Sequence, residues 1–240
     1  MSAPKLSLPE ARKISDFFLL VVCTLILLSI AGQCAKHVYG NTQLKGMLPL
    51  FYVDNEPSAP TWYSSTALGI AGVLLGVIAL AKFQSRDRFR WHWATLSLLL
   101  FGLSLDEIAM IHEIPIDPMR EIFNWGGLLY YAWVVPGLLF VGMVGLIYLR
   151  FFLNLPRRTQ ALFFAAAAVF VTGAIGVEML SGVQADLAGE QNLNYALIVT
   201  IEEFMEMLGV VILIRALLEY IEEHLGGLQV SFPAQRTAAA

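Results

Sequence analysis

Six apolar runs, each near the roughly 20-residue length at which a helix crosses a bilayer, lie at about 16–36, 62–82, 91–113, 126–149, 159–181 and 195–218. Within lipid, only helices and closed barrels satisfy their own backbone polar groups, and runs of this length are helical. The expected fold is therefore all-α: a polytopic membrane protein, one domain over residues 1–240, with a bundle of six transmembrane helices. Composition agrees. The chain is 58% hydrophobic with a mean hydropathy of +0.68, and its 14% charged residues fall well below the about 25% of a soluble domain.

Basic residues orient the spans. Lys5, Arg12 and Lys13 precede the first; Lys82, Arg86, Arg88 and Arg90 join the second to the third; Arg150, Arg157 and Arg158 join the fourth to the fifth. The alternate connections hold only Lys36, Lys45 and Arg120. The positive-inside rule then puts both termini in the cytoplasm. Trp91 and Trp93 fit the inner interface, Trp62 and Trp125 the outer one. Residues 37–61 form an outer loop that caps the bundle, and the Ala-rich tail over 226–240 is expected to be disordered.

Several functions are excluded. No basic stripe with aromatics suggests nucleic acid as a partner, and no Gly-rich phosphate loop is present. Cys23 and Cys34 lie about 16 Å apart along one helix, too far to bridge. The N-terminal apolar run lacks a small-residue cleavage site and reads as an uncleaved first helix. No internal repeat of the transporter kind is visible. Gly72 and Gly76 form a small-residue helix contact, as do Gly173 and Gly176 near Ala165 to Ala168; Pro136, mid-run, implies a kink.

The unusual feature is acid at membrane depth. The third run ends in Asp106, Glu107, His112 and Glu113; the fifth carries Glu178; the sixth carries Glu202, Glu203 and Glu206. At 1.5 Å per residue, Asp106 lies about 22 Å and Glu178 about 28 Å from the inner surface, and Glu202 and Glu206 about 10 and 16 Å below the outer one. All fall in the outer half of the membrane. Asp106 and Glu113 share one helix stripe, and Glu202 and Glu206 another. Glu107 and His112 point to opposite flanks, and His112 joins the stripe only if the end of its helix unwinds, to which Pro115 disposes Ile114.

Each acid at mid-span costs about 2.5–3.5 kcal/mol on insertion scales, so four or five unpaired ones cost on the order of 10–15 kcal/mol. No Lys or Arg lies in the outer half of these three runs, and only His112 is close. Protons or a bound cation must supply the missing charge. Facing carboxylates are how helical bundles build di-metal sites, although the Glu-x-x-His pairs of that pattern are missing here. An oxygen-rich set with one imidazole suits a divalent metal ion, iron or manganese favoured and zinc possible. In this reading Asp106, His112, Glu113, Glu178, Glu202 and Glu206 are metal ligands, with Glu107 and Glu203 as catalytic bases or outer partners.

Three functions stay open: a metal-dependent oxidoreductase or hydrolase acting on a lipid-soluble substrate, a proton- or cation-coupled transporter or channel subunit, and a non-catalytic accessory subunit of other membrane proteins. Leu103-Ser104-Leu105-Asp106-Glu107 with His112-Glu113, and Glu202-Glu203 with Glu206-Met207-Leu208-Gly209, resemble the motifs of a group of uncharacterised bacterial multi-pass membrane proteins. The similarity covers most of the chain from the third run onward. It implies a multi-pass fold and a bacterial inner membrane, and no particular activity.

Overall fold

The computed structural model describes residues 5–7, 10–40, 47–55, 58–227 and 229–231. Its long helices are α1 (Ala11–His37), α3 (Ala59–Gln84), α4 (Arg90–Ala109), α6 (Val134–Leu153), α7 (Arg157–Val171) and α9 (Leu193–Leu225). Shorter helices are α2 (Met47–Phe51), α5 (Ile116–Phe123) and α8 (Glu178–Ala188), the last joined to α7 by a π-helical turn over Thr172–Val177. Two short strands, β1 (Lys5–Ser7) and β2 (Gln229–Ser231), pair antiparallel. Part of the stretch expected to be a disordered tail is thus a strand, while residues 232–240 lie outside the described ones.

Among the described residues, four helical segments are long and apolar enough to cross a membrane: α1, α3, α6 and the joined run Arg157–Ala188. A fifth exists if α4 and the following Ile111–Phe123, bent by 71°, count as one broken span. With 33 residues, α9 has the length, but its acids and Arg215 keep it from reading as plain hydrocarbon. The chain is a helical, multi-pass membrane protein.

Local chemistry sets the helix ends. Ser58 caps α3 by accepting from the Thr61 N–H, with Pro60 in the first turn, where its missing donor is harmless. Asn192 caps α9 by accepting from the Tyr195 N–H, and Gly226 closes it in the left-handed conformation. The same logic corrects the expected kink. Helix α6 begins at Val134, eight residues after the anticipated start, so Pro136 sits in its first turn rather than mid-span. There the proline breaks no hydrogen bond.

Small residues bring two helix pairs close. Gly72 and Gly76 of α3 face Phe101 and Ser97 of α4, each 3.3 Å from where a Cβ would stand. Ser97 Oγ donates to the Gly72 carbonyl at 2.7 Å. A Cβ on Gly209 of α9 would stand 2.8 Å from Phe170 Cβ of α7, and one on Gly173 2.9 Å from the Glu202 carbonyl. Those contacts hold the π turn against the acidic turn of α9. Trp91 is exposed, as an interfacial residue should be, but Trp93 is not: it is buried against Phe151 and Tyr220. At the same end of the bundle the Ala11 N–H donates to Glu222, which brings the start of α1 to the end of α9.

Candidate functional site

Helix α4 stops short of its sequence-expected end. Met110 adopts a left-handed conformation (φ 49°) and Ile111–Glu113 form a 3-10 turn. The break falls at Met110, not at Ile114, which is helical despite the proline after it. Its cause is visible: the Asp106 carboxylate folds over the turn, accepting from the His112 N–H at 2.9 Å and pairing with His112 Nδ1 at 2.9 Å. This unwinding turns the imidazole inward, where its ring lies 4.9 Å from that of Trp133.

Trp133, just before α6, donates its indole N–H to Glu178 at 2.6 Å. Glu178 opens α8 immediately after the π turn; such a turn adds a residue to the helix, re-aims the side chains beyond it, and is often found at functional sites. One turn on, Ser181 donates its hydroxyl to Glu202 of α9 at 3.0 Å. Glu206 lies a turn deeper, facing the negative charge of Glu203, Glu107 and Glu202. Glu107 and Glu203 line the same region and interact with their surroundings.

All eight residues singled out from the sequence line one cavity of about 660 Å³. That includes Glu107 and His112, which a straight helix would turn aside. The described wall carries nine carboxylates, one histidine and no lysine or arginine. Its two ends differ. The acids lie toward the end capped by the loop before α3, whereas Leu96, Leu99 and Leu100 of α4, Val141 and Val144 of α6, Phe163 of α7 and Val210 and Leu213 of α9 form a hydrocarbon half.

Sequence reasoning missed the mouth. Asp54, in the loop after α2, lies 3.3 Å from the Tyr195 hydroxyl, which stands 2.8 Å from that of Tyr131, itself 3.1 Å from Glu190; the two phenolic protons serve two of these three contacts at a time. Asp54 has surface open to the cavity but protein on most sides. This burial, with Glu190 and Glu113 adding negative charge, pushes its carboxyl up to about 6 against the hydrogen bonds of Tyr52 and Tyr195. Only the expectation that the outer loop caps the bundle pointed here. Nothing local marked Asp54 or Glu190.

The acids share a cavity without forming a finished ligand set. Among the described residues, no three His, Cys, Asp or Glu side chains stand close enough together to hold one metal ion. Asp106 is engaged with His112, Glu178 with Trp133 and Glu202 with Ser181.

The chain belongs to a family whose model, described as Domain of unknown function (DUF8692), matches residues 17–220. No curated protein and no solved structure matches it.

Proposed function

We propose that this is a six-span protein of the bacterial inner membrane, with both termini cytoplasmic, that binds a divalent metal ion at the acidic end of its cavity. A lipid-soluble substrate occupies the apolar end, and the chemistry is metal-dependent oxidation or hydrolysis. The observation that carries this reading is the described wall itself: nine carboxyl groups and a single imidazole, with no lysine or arginine among them. A cation is the simplest remedy for that imbalance, and oxygen donors with one imidazole favour iron or manganese, with zinc possible.

Ion loading in this reading exchanges hydrogen bonds for ligation. Glu206 would be one ligand, with the carboxylates of Glu203, Glu107 and Glu202 around it. Glu178 and Glu202 would have to leave Trp133 and Ser181 to join it, and Asp106, His112 and Glu113 would complete the set from the other wall. Glu107 and Glu203 are the candidate bases. A cation-coupled transporter or channel subunit is less well supported, because the wall beyond Glu206 is hydrocarbon and offers a cation no polar step onward. An accessory subunit would keep the same fold but need no ion.

Elemental analysis of the full chain, purified in detergent and loaded with iron, manganese or zinc, tests the proposal. The expected result is a fixed whole-number ratio of ion to chain that chelation reverses and that Glu202→Gln with Glu206→Gln abolishes. A wild-type ion content no higher than that of the double variant would overturn it.

A further inference from the structure

Helix α6 is fastened at its two ends and free between them. At its inner end, Tyr148 and Thr95 share a 2.7 Å hydrogen bond, and Phe151 is buried edge-on against Trp93 at 4.9 Å. At its outer end Val134 is buried, the Trp133 indole just before the helix donates to Glu178, and a Cβ on Gly137 would stand 3.6 Å from Ile175. Between these points a Cβ on Gly142 or Gly145 would meet nothing within 4 Å. Phe140, Val141, Val144 and Gly145 form one stripe along the cavity, while Leu139 and Leu146 on other faces are 72% and 78% exposed. Helix α6 thus stands along one side of the apolar half of the cavity, loosely seated along its middle.

We propose that this apolar half binds one long alkyl chain, that its amine-bearing head lies against the acidic end, and that the molecule enters sideways from the bilayer past α6. The inference rests on the two-ended cavity of the proposed function and gives its substrate a class: a single-chain alkylamine. The head follows from charge complementarity. Among the described lining residues nine carboxyl groups and no Lys or Arg stand around it, more acids than one divalent ion can engage. An ammonium group is therefore attracted, whereas a phosphate or sulfate head meets like charge in a poorly screened site. The chain follows from the hydrocarbon walls of α4, α6, α7 and α9, since apolar burial rewards length without direction.

The test uses full-length protein in nanodiscs and a long-chain alkylamine carrying a photoreactive group midway along its chain. Labelling is expected on the inner half of the cavity, at Val144 of α6 and Phe163 of α7. Gly145→Trp, which fills open space, and independently Val144→Phe should each reduce it by about tenfold, the worth of expelling about two methylene groups. Leu139→Trp, facing lipid, should leave it unchanged. An alkyl sulfate of equal length, and a single-chain phospholipid with an ethanolamine head, should label about tenfold less. Equal labelling by the sulfate, or undiminished labelling in both cavity variants, would overturn the inference. Metal content measured on the same samples separates the two proposals. Wild-type protein that holds an ion but takes no label at these positions defeats this inference alone; protein that labels as expected without any ion defeats the metal reading alone.

Discussion

At the scale of single residues, Asp106 does two jobs whose separation is testable. Its carboxylate both caps the turn after α4 and orients His112. Asp106→Ala should therefore cost about 1–3 kcal/mol, because it leaves a partly buried backbone donor unpaired. Asp106→Asn keeps an acceptor for the His112 N–H and should cost less; thermal unfolding in detergent measures both. Asp54 gives a pH signature. Its carboxyl titrates near 6 in the folded chain against an ordinary value of 3.8, so the folded state binds its proton more tightly. The stability this group contributes is present in full below about pH 4 and is lost as pH rises through about 6. Asp54→Asn should flatten that part of the stability profile, as read by unfolding temperature across this range; an unchanged slope would remove Asp54 as its origin.

At the scale of elements, glycines decide where helices touch. Gly209→Ala would drive a Cβ into Phe170 of α7, and forced separation of packed helices costs about 1–3 kcal/mol. Gly142→Ala meets open space on α6 and should be neutral or stabilising by about 0.5–1 kcal/mol. Unfolding midpoints of the two variants should move in opposite directions or differ by that margin. Approximate helix positions were legible in the sequence because length and hydropathy determine them. Boundaries were read less well: α3 and α9 run past the expected 62–82 and 195–218 at both ends. Ser58, Asn192 and Gly226 end these helices by their own side chains or lack of one, a local signal the spans passed over, whereas the end of α4 depends on Asp106 folding over residues six ahead of it. Pro136 misled for a related reason: a proline signals either a kink or a helix start, and the choice depended on Gly126 to Trp133 not being helical throughout. Trp93 looked like an interfacial anchor because composition cannot tell an indole at the lipid surface from one buried under Phe151.

At the scale of the whole molecule, the gathering of acids was legible, and the shape of the space they gather around was not. Depth along each span placed Asp106, Glu178, Glu202 and Glu206 at a common level, and the cavity unites them. The hydrocarbon half, the loose seating of α6 and the mouth at Asp54 and Glu190 arise from helix spacing and loop paths, which hydropathy does not encode. If the acids await a cation, ion binding should also stabilise the bundle: an ion at about a hundred times its dissociation constant adds about 2.7 kcal/mol. That gain should appear as a higher unfolding temperature in wild type and vanish in Glu206→Gln. The most direct test of the central claim is an anomalous-scattering map of the full chain grown with manganese, recorded above and below the metal edge. A peak is expected inside the cavity among Glu178, Glu202 and Glu206, with His112 or Asp106 drawn toward it. A cavity empty of anomalous signal, with those carboxylates still held by Trp133 and Ser181, would contradict it.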